Sequence, residues 1–109
     1  MSEEKTLTHL VEYLQKHIGP KTTSYIAGFE DVAQLNQIPV GVTSVVELRL
    51  RHAYEVVKVI SEAYDDKTAK SWLYGTNTRL EEAPAFVLRH AETLEDLSLI
   101  VRIAKEFSS

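Results

Sequence analysis

Ser44-Val45-Val46-Glu47-Leu48-Arg49-Leu50-Arg51-His52-Ala53-Tyr54-Glu55-Val56-Val57-Lys58-Val59-Ile60-Ser61-Glu62-Ala63-Tyr64 is the stretch that decides the fold. Val46, Leu50, Ala53, Val57, Ile60 and Tyr64 recur at alternating steps of four and three, the period of one helix face. Leu48, Val56, Val59 and Ala63 widen that face until the helix is apolar on most sides. Such a helix has to be covered by several others, which makes it the central strut of a helical domain. Ser44 and Glu47 form a Ser-x-x-Glu capping box, each side chain satisfying an orphan backbone N–H of the other, and mark the helix start.

Working outward, helical spacing holds in both directions. Upstream, Leu7, Leu10, Val11, Leu14 and Ile18 define a first helix that Gly19-Pro20 stops. Thr22 to Gln37 breaks into two short helical pieces around Gly28, and Pro39 and Gly41 form a loop before the strut. Downstream, Asp65-Asp66 caps a short helix through Trp72 and Leu73 that Gly75 ends. Pro84 suits the first turn of the next helix, where its missing N–H has no intrahelical partner. Thr93-Leu94-Glu95-Asp96 repeats the start signal, and Leu94, Leu97, Ile100, Val101, Ala104 and Phe107 make an apolar stripe. No turn-bounded run alternates with period two. The expectation is an all-α, compact bundle of about six or seven helices without an internal repeat.

The chain has 109 residues, enough for one core and too few for two. With no cysteine, disulfides, thiolate metal sites and cysteine nucleophiles are excluded. The opening Met1-Ser2-Glu3-Glu4-Lys5 lacks the basic and apolar regions of a signal peptide, and no apolar run approaches the ~18 residues of a membrane span. The chain is expected to be soluble and cytoplasmic, with no membrane partner. A net charge of −4 argues against a general polyanion binder, because affinity for nucleic acid comes largely from Lys and Arg.

Catalytic signatures are absent from the sequence. His9, His17, His52 and His90 show no pair spaced to put two imidazoles on one helix face; each is better read as a surface or capping histidine. Gly19-Pro20-Lys21-Thr22-Thr23 lacks the upstream glycine of a phosphate loop and follows a helix instead of a strand. Carboxylates alternate with bases at helical spacing, Glu47 with Arg51, Arg51 with Glu55, Glu55 with Lys58, the pattern of a solvated face. No nucleophile elbow or Ser/His/Asp cluster is present. Neither an enzyme nor a cofactor or metal site is expected.

Two blocks carry a resemblance. One is Thr23-Ser24-Tyr25-Ile26-Ala27-Gly28 together with Arg49-Leu50-Arg51-His52-Ala53-Tyr54-Glu55-Val56. The other is Trp72-Leu73-x3-Asn77-x2-Leu80-x3-Pro84-x3-Leu88. Together they resemble the Xre/MbcA/ParS-like antitoxins, the first block the helix-turn-helix-derived N-terminal part and the long helix behind it, the second the toxin-binding C-terminal part. The resemblance implies residues 1–109 as one compact domain, with 1–64 the degenerate helix-turn-helix part and 65–109 the toxin-binding-like part. Two departures stand out. Between Leu80 and Pro84 the family carries a slightly longer, glycine-containing step, where this chain has Glu81-Glu82-Ala83. Where related chains place an Arg/Trp-rich segment, Phe29 to Gln37 has Glu30 and Asp31 and no base.

Antitoxins of this type bind RES-domain toxins that consume NAD and lay their C-terminal region across the toxin's active site. The resemblance therefore implies a cognate toxin as partner, in a homo-oligomer or a toxin–antitoxin hetero-oligomer, and no chemistry of the chain's own. Its toxin interface is expected at Asn77, Arg79, Arg102, Lys105, Glu106 and Phe107, with Phe107 the anchor and Ser108-Ser109 a tail projecting into a cleft. Trp72, Leu73, Leu80, Pro84 and Leu88 are expected to be scaffold, with Trp72 largely buried. The competing reading is a helix-turn-helix DNA-binding regulator. Between Gly19 and Ser44 the one base, Lys21, faces two acids, too little for phosphate contacts and base readout, so DNA is not expected to bind the isolated chain.

Overall fold

The computed structural model describes residues 6–38 and 40–109; the acidic opening and Pro39 lie outside them. The described residues form six α-helices and one 3-10 helix: α1 (Leu7–Ile18), α2 (Pro20–Ala27), the 3-10 helix Val32–Gln37, α3 (Ser44–Ala63), α4 (Asp66–Tyr74), α5 (Pro84–His90) and α6 (Leu94–Ser108). There is no strand among them, only an isolated bridge between Asn77 and Glu82. The protein is all-α.

Local punctuation sets most boundaries. Thr6, Asp65 and Thr93 each accept a backbone N–H from the first turn of the helix that follows, which satisfies one of its orphan donors. Gly19, at φ 88°, ends α1 and lets Pro20 open α2 directly. The box at Ser44 is corrected by one residue: Thr43 is the N-cap, accepting from the Val46 N–H, and Ser44 is already helical. Glu47, freed from the box, pairs with Arg51 at 2.8 Å.

Leu50, Ala53, Val56, Val57 and Ile60 of α3 are fully buried and form one cluster with Leu14 and Ile18 of α1, Ile26 of α2, Leu73 of α4, Leu88 of α5 and Leu97 and Ile100 of α6. Each such side chain contributes about 1.5–3 kcal/mol of burial. The apolar face of α3 is narrower than its sequence: Leu48, Ala63 and Tyr64 are exposed. α3 and α6 run side by side in the same direction. His52 and Ser98 line one end of their seam, and the rings of Tyr64 and Phe107 meet at the other. α4 and α5 return the chain between them. No helix of the described residues is long and apolar enough to cross a membrane.

Candidate partner-binding face

Gly75 ends α4, and the chain reverses over residues 77–82 before Pro84 opens α5. Asn77 is the brace of this reversal. Its Oδ1 accepts from the N–H groups of Arg79, at 3.0 Å, and Leu80, at 3.3 Å, while its own N–H donates to the Glu82 carbonyl at 3.0 Å. An Asx-type bond of this kind is why Asn suits turns. Glu81, with φ 63°, is the one described non-glycine residue at positive φ, so the step between Leu80 and Pro84 passes through left-handed backbone without a glycine. Arg79 leaves the turn and pairs with Glu106 of α6; both side chains are exposed.

Phe107 completes this edge. Its ring lies 5.4 Å from that of Tyr64 and 6.1 Å from that of Trp72, and its carbonyl accepts the Tyr64 hydroxyl at 3.2 Å. Trp72 is largely buried, as expected, and packs against the core cluster. Its ring neighbour Phe107 is itself 42% exposed. The rest of the motif is scaffold: Leu73 and Leu88 are fully buried, Pro84 is buried and Leu80 partly so. The projecting tail is also corrected. α6 continues through Ser108, and Ser109 Oγ donates to the Glu106 carbonyl at 3.0 Å, because helical hydrogen bonding carries on past Phe107.

The structure thus splits the six interface residues named from sequence. Asn77, Arg79, Glu106 and Phe107 come together with Trp72 and Tyr64. Arg102 and Lys105 point instead into the seam with α3, a groove of about 340 Å³ that they line with His52, Glu55, Ser98 and Val101.

A node that sequence reading missed lies on the opposite side. Gly28, at φ 93°, closes α2, its N–H bonded to the Tyr25 carbonyl and that of Phe29 to the Ser24 carbonyl, the six-residue helix stop that left-handed glycine makes. Two arginines then donate to carbonyls around this stop, one of them the Tyr25 carbonyl that already accepts from Gly28. Arg89 Nη1 donates to Tyr25 O at 2.8 Å and Phe29 O at 3.1 Å, and its guanidinium stacks on the Tyr25 ring. Arg49 donates to Ala91 O at 3.0 Å and Ala27 O at 3.4 Å, and burial pushes its pKa down. The first resemblance block is therefore a packing knot, and the only sequence signal for it was a glycine directly after a short helix. Beyond it, the 3-10 helix is capped by Asp31 and Gln34.

Of the histidines, His17 is neither capping nor free. Its Nδ1 donates to Asp66 Oδ1 at 2.6 Å, joining α1 to α4, and this bond holds the Asp66 carboxyl below the usual carboxylate range. His52 and His90 each bond a carbonyl four residues back. Among the described residues no group of three or more His, Asp or Glu stands together as a metal site. What the face around Phe107 offers is aromatic surface bordered by an ion pair, which is the chemistry of binding. No family model matches the chain, and neither does any curated protein or solved structure.

Proposed function

We propose that this chain is an antitoxin that binds and neutralises a RES-type, NAD-consuming toxin, covering the toxin's active site with the face around the end of α6. The observation that carries the reading is the meeting of Trp72, Tyr64 and Phe107 beside the Arg79–Glu106 pair. The segment that bears the resemblance and the end of α6 thereby share one edge. An aromatic cluster with a charged rim is the composition of an interface centre. With α6 helical to Ser108, the cover is a rigid helix end, not a threaded tail. The helix-turn-helix regulator has less support, since the short 3-10 helix behind Glu30 and Asp31 gives a major groove neither length nor positive charge.

The test is co-expression of the neighbouring gene product with this chain, following growth and cellular NAD. The neighbour alone should arrest growth and deplete NAD, and the wild-type chain should restore both. Phe107→Ala should weaken the complex by ~2 kcal/mol, about thirtyfold, while Leu94→Ala, an exposed apolar control elsewhere on α6, should protect like wild type. A neighbour that is harmless alone overturns the reading.

A further inference from the structure

We propose that the seam between α3 and α6 is a binding site for an acidic peptide segment of a protein partner, one with carboxylates at alternate positions. The α6 wall supplies two cations, Arg102 and Lys105, and neither has an ion-pair or hydrogen-bond partner among the described residues. Glu55 is the one carboxylate lining this part of the groove, and Ser98 adds a hydroxyl. His52 Nδ1 lies 2.7 Å from the Leu48 carbonyl. A carbonyl only accepts, so Nδ1 carries the proton and Nε2 is the ring nitrogen left for a ligand.

The shape selects a linear ligand over a small ion. Past Glu55 and Lys105 the groove continues into a second depression of about 190 Å³ lined by Lys58, Val59 and Glu62. From His52 to Glu62 the helical rise gives a trench of about 15 Å, the length of about five extended residues. Alternate side chains of an extended segment face the same way, so acids at every second position turn toward Arg102 and Lys105. The carboxylate of Glu55 on the α3 wall is then available to accept backbone N–H groups. Along the trench the cations Lys58, Arg102 and Lys105 outnumber the carboxylates Glu55 and Glu62, so on a chain of net charge −4 it is locally positive and draws acidic groups to its α6 wall. The inference does not depend on the toxin reading, because it concerns a different face of α6.

The experiment is a titration of the ¹⁵N-labelled chain with acetyl-Glu-Ser-Glu-Ser-Glu-amide, followed by amide chemical shifts. The expected result is saturable binding, with shifts confined to residues 52–62 and 98–105 and none from the Gln-for-Glu peptide. The double variant Arg102→Ala/Lys105→Ala should bind about tenfold more weakly. The control Lys16→Ala/Lys67→Ala, which removes the same charge from exposed sites elsewhere, should stay within about twofold, with circular dichroism confirming both folds. Equal binding by the Arg102/Lys105 variant, shifts scattered over the surface, or tighter saturation by inorganic phosphate at the same residues would each overturn the proposal.

Discussion

Arg49 occupies the space that a side chain at position 28 would need: a Cβ built on Gly28 stands 2.8 Å from Arg49 Nη1. Position 28 is thus restricted twice, by its φ of 93° and by the guanidinium. Gly28→Ala should lower stability by ~1–2 kcal/mol for the left-handed backbone alone, and by more if Arg49 is pushed off the Ala27 and Ala91 carbonyls. Urea unfolding measures it, and a loss below about half a kilocalorie per mole would contradict the left-handed strain at position 28.

Thr43 and Ser44 separate the two placements of the α3 start. Thr43→Ala removes the acceptor of the Val46 N–H and should cost ~0.5–2 kcal/mol. Ser44→Ala, at an exposed helical position, should stay within about 0.5 kcal/mol. Paired thermal melts decide it; the reverse order of effects would return the cap to Ser44.

The His17–Asp66 bond gives stability a pH dependence of fixed sign. Asp66 is held below its ordinary value, so its contribution is present above the unfolded-state pKa, near ~3.9, and lost as pH falls through the lower folded value. The pair is about half exposed on the Asp66 side, which limits the effect to ~0.2–1 kcal/mol. Asp66→Asn should therefore be less stable than wild type at neutral pH, and the difference should close in strong acid. A difference that grows toward acid contradicts this assignment.

Glu81 holds a conformation that an L side chain adopts at a cost. Glu81→Gly should leave stability unchanged or raise it by up to ~1 kcal/mol, the relief of strain offset by extra freedom of the unfolded chain. Glu81→Val should lower it by ~1 kcal/mol or more, since a β-branched residue fits this region worst. Calorimetry of the two variants provides the comparison.

The boundaries readable from sequence are those written in adjacent residues. Gly19-Pro20, Asp65, Pro84 and Thr93 act within one turn of where they sit, and each appears where expected. At the start of α3 two good caps stand side by side, and Glu47 favoured the wrong one because its bond to Arg51 cannot be weighed from spacing alone. What could not be read depends on distant chain. The contact of Trp72 with Phe107 is one case, and the bonds of Arg49 to Ala27 and Ala91 are another. Asn77 was legible as a turn residue, since its bonds go to its own neighbours. The pairing of Arg79 with Glu106 depends on how α6 docks beside the turn, and so does the separation of Arg102 and Lys105 from them.

Because α3 and α6 lie parallel, every contact between them joins residues far apart in the chain, about thirty residues being looped out between Ala63 and Leu94. α1 and α2 are joined by Gly19 alone, and sixteen residues separate α2 from α3, about half the span between α3 and α6. Forming the α3–α6 seam therefore carries the larger loop-closure entropy. Substitutions that weaken α6 against α3, such as Ile100→Val, therefore act chiefly by accelerating unfolding and leave the refolding rate nearly untouched.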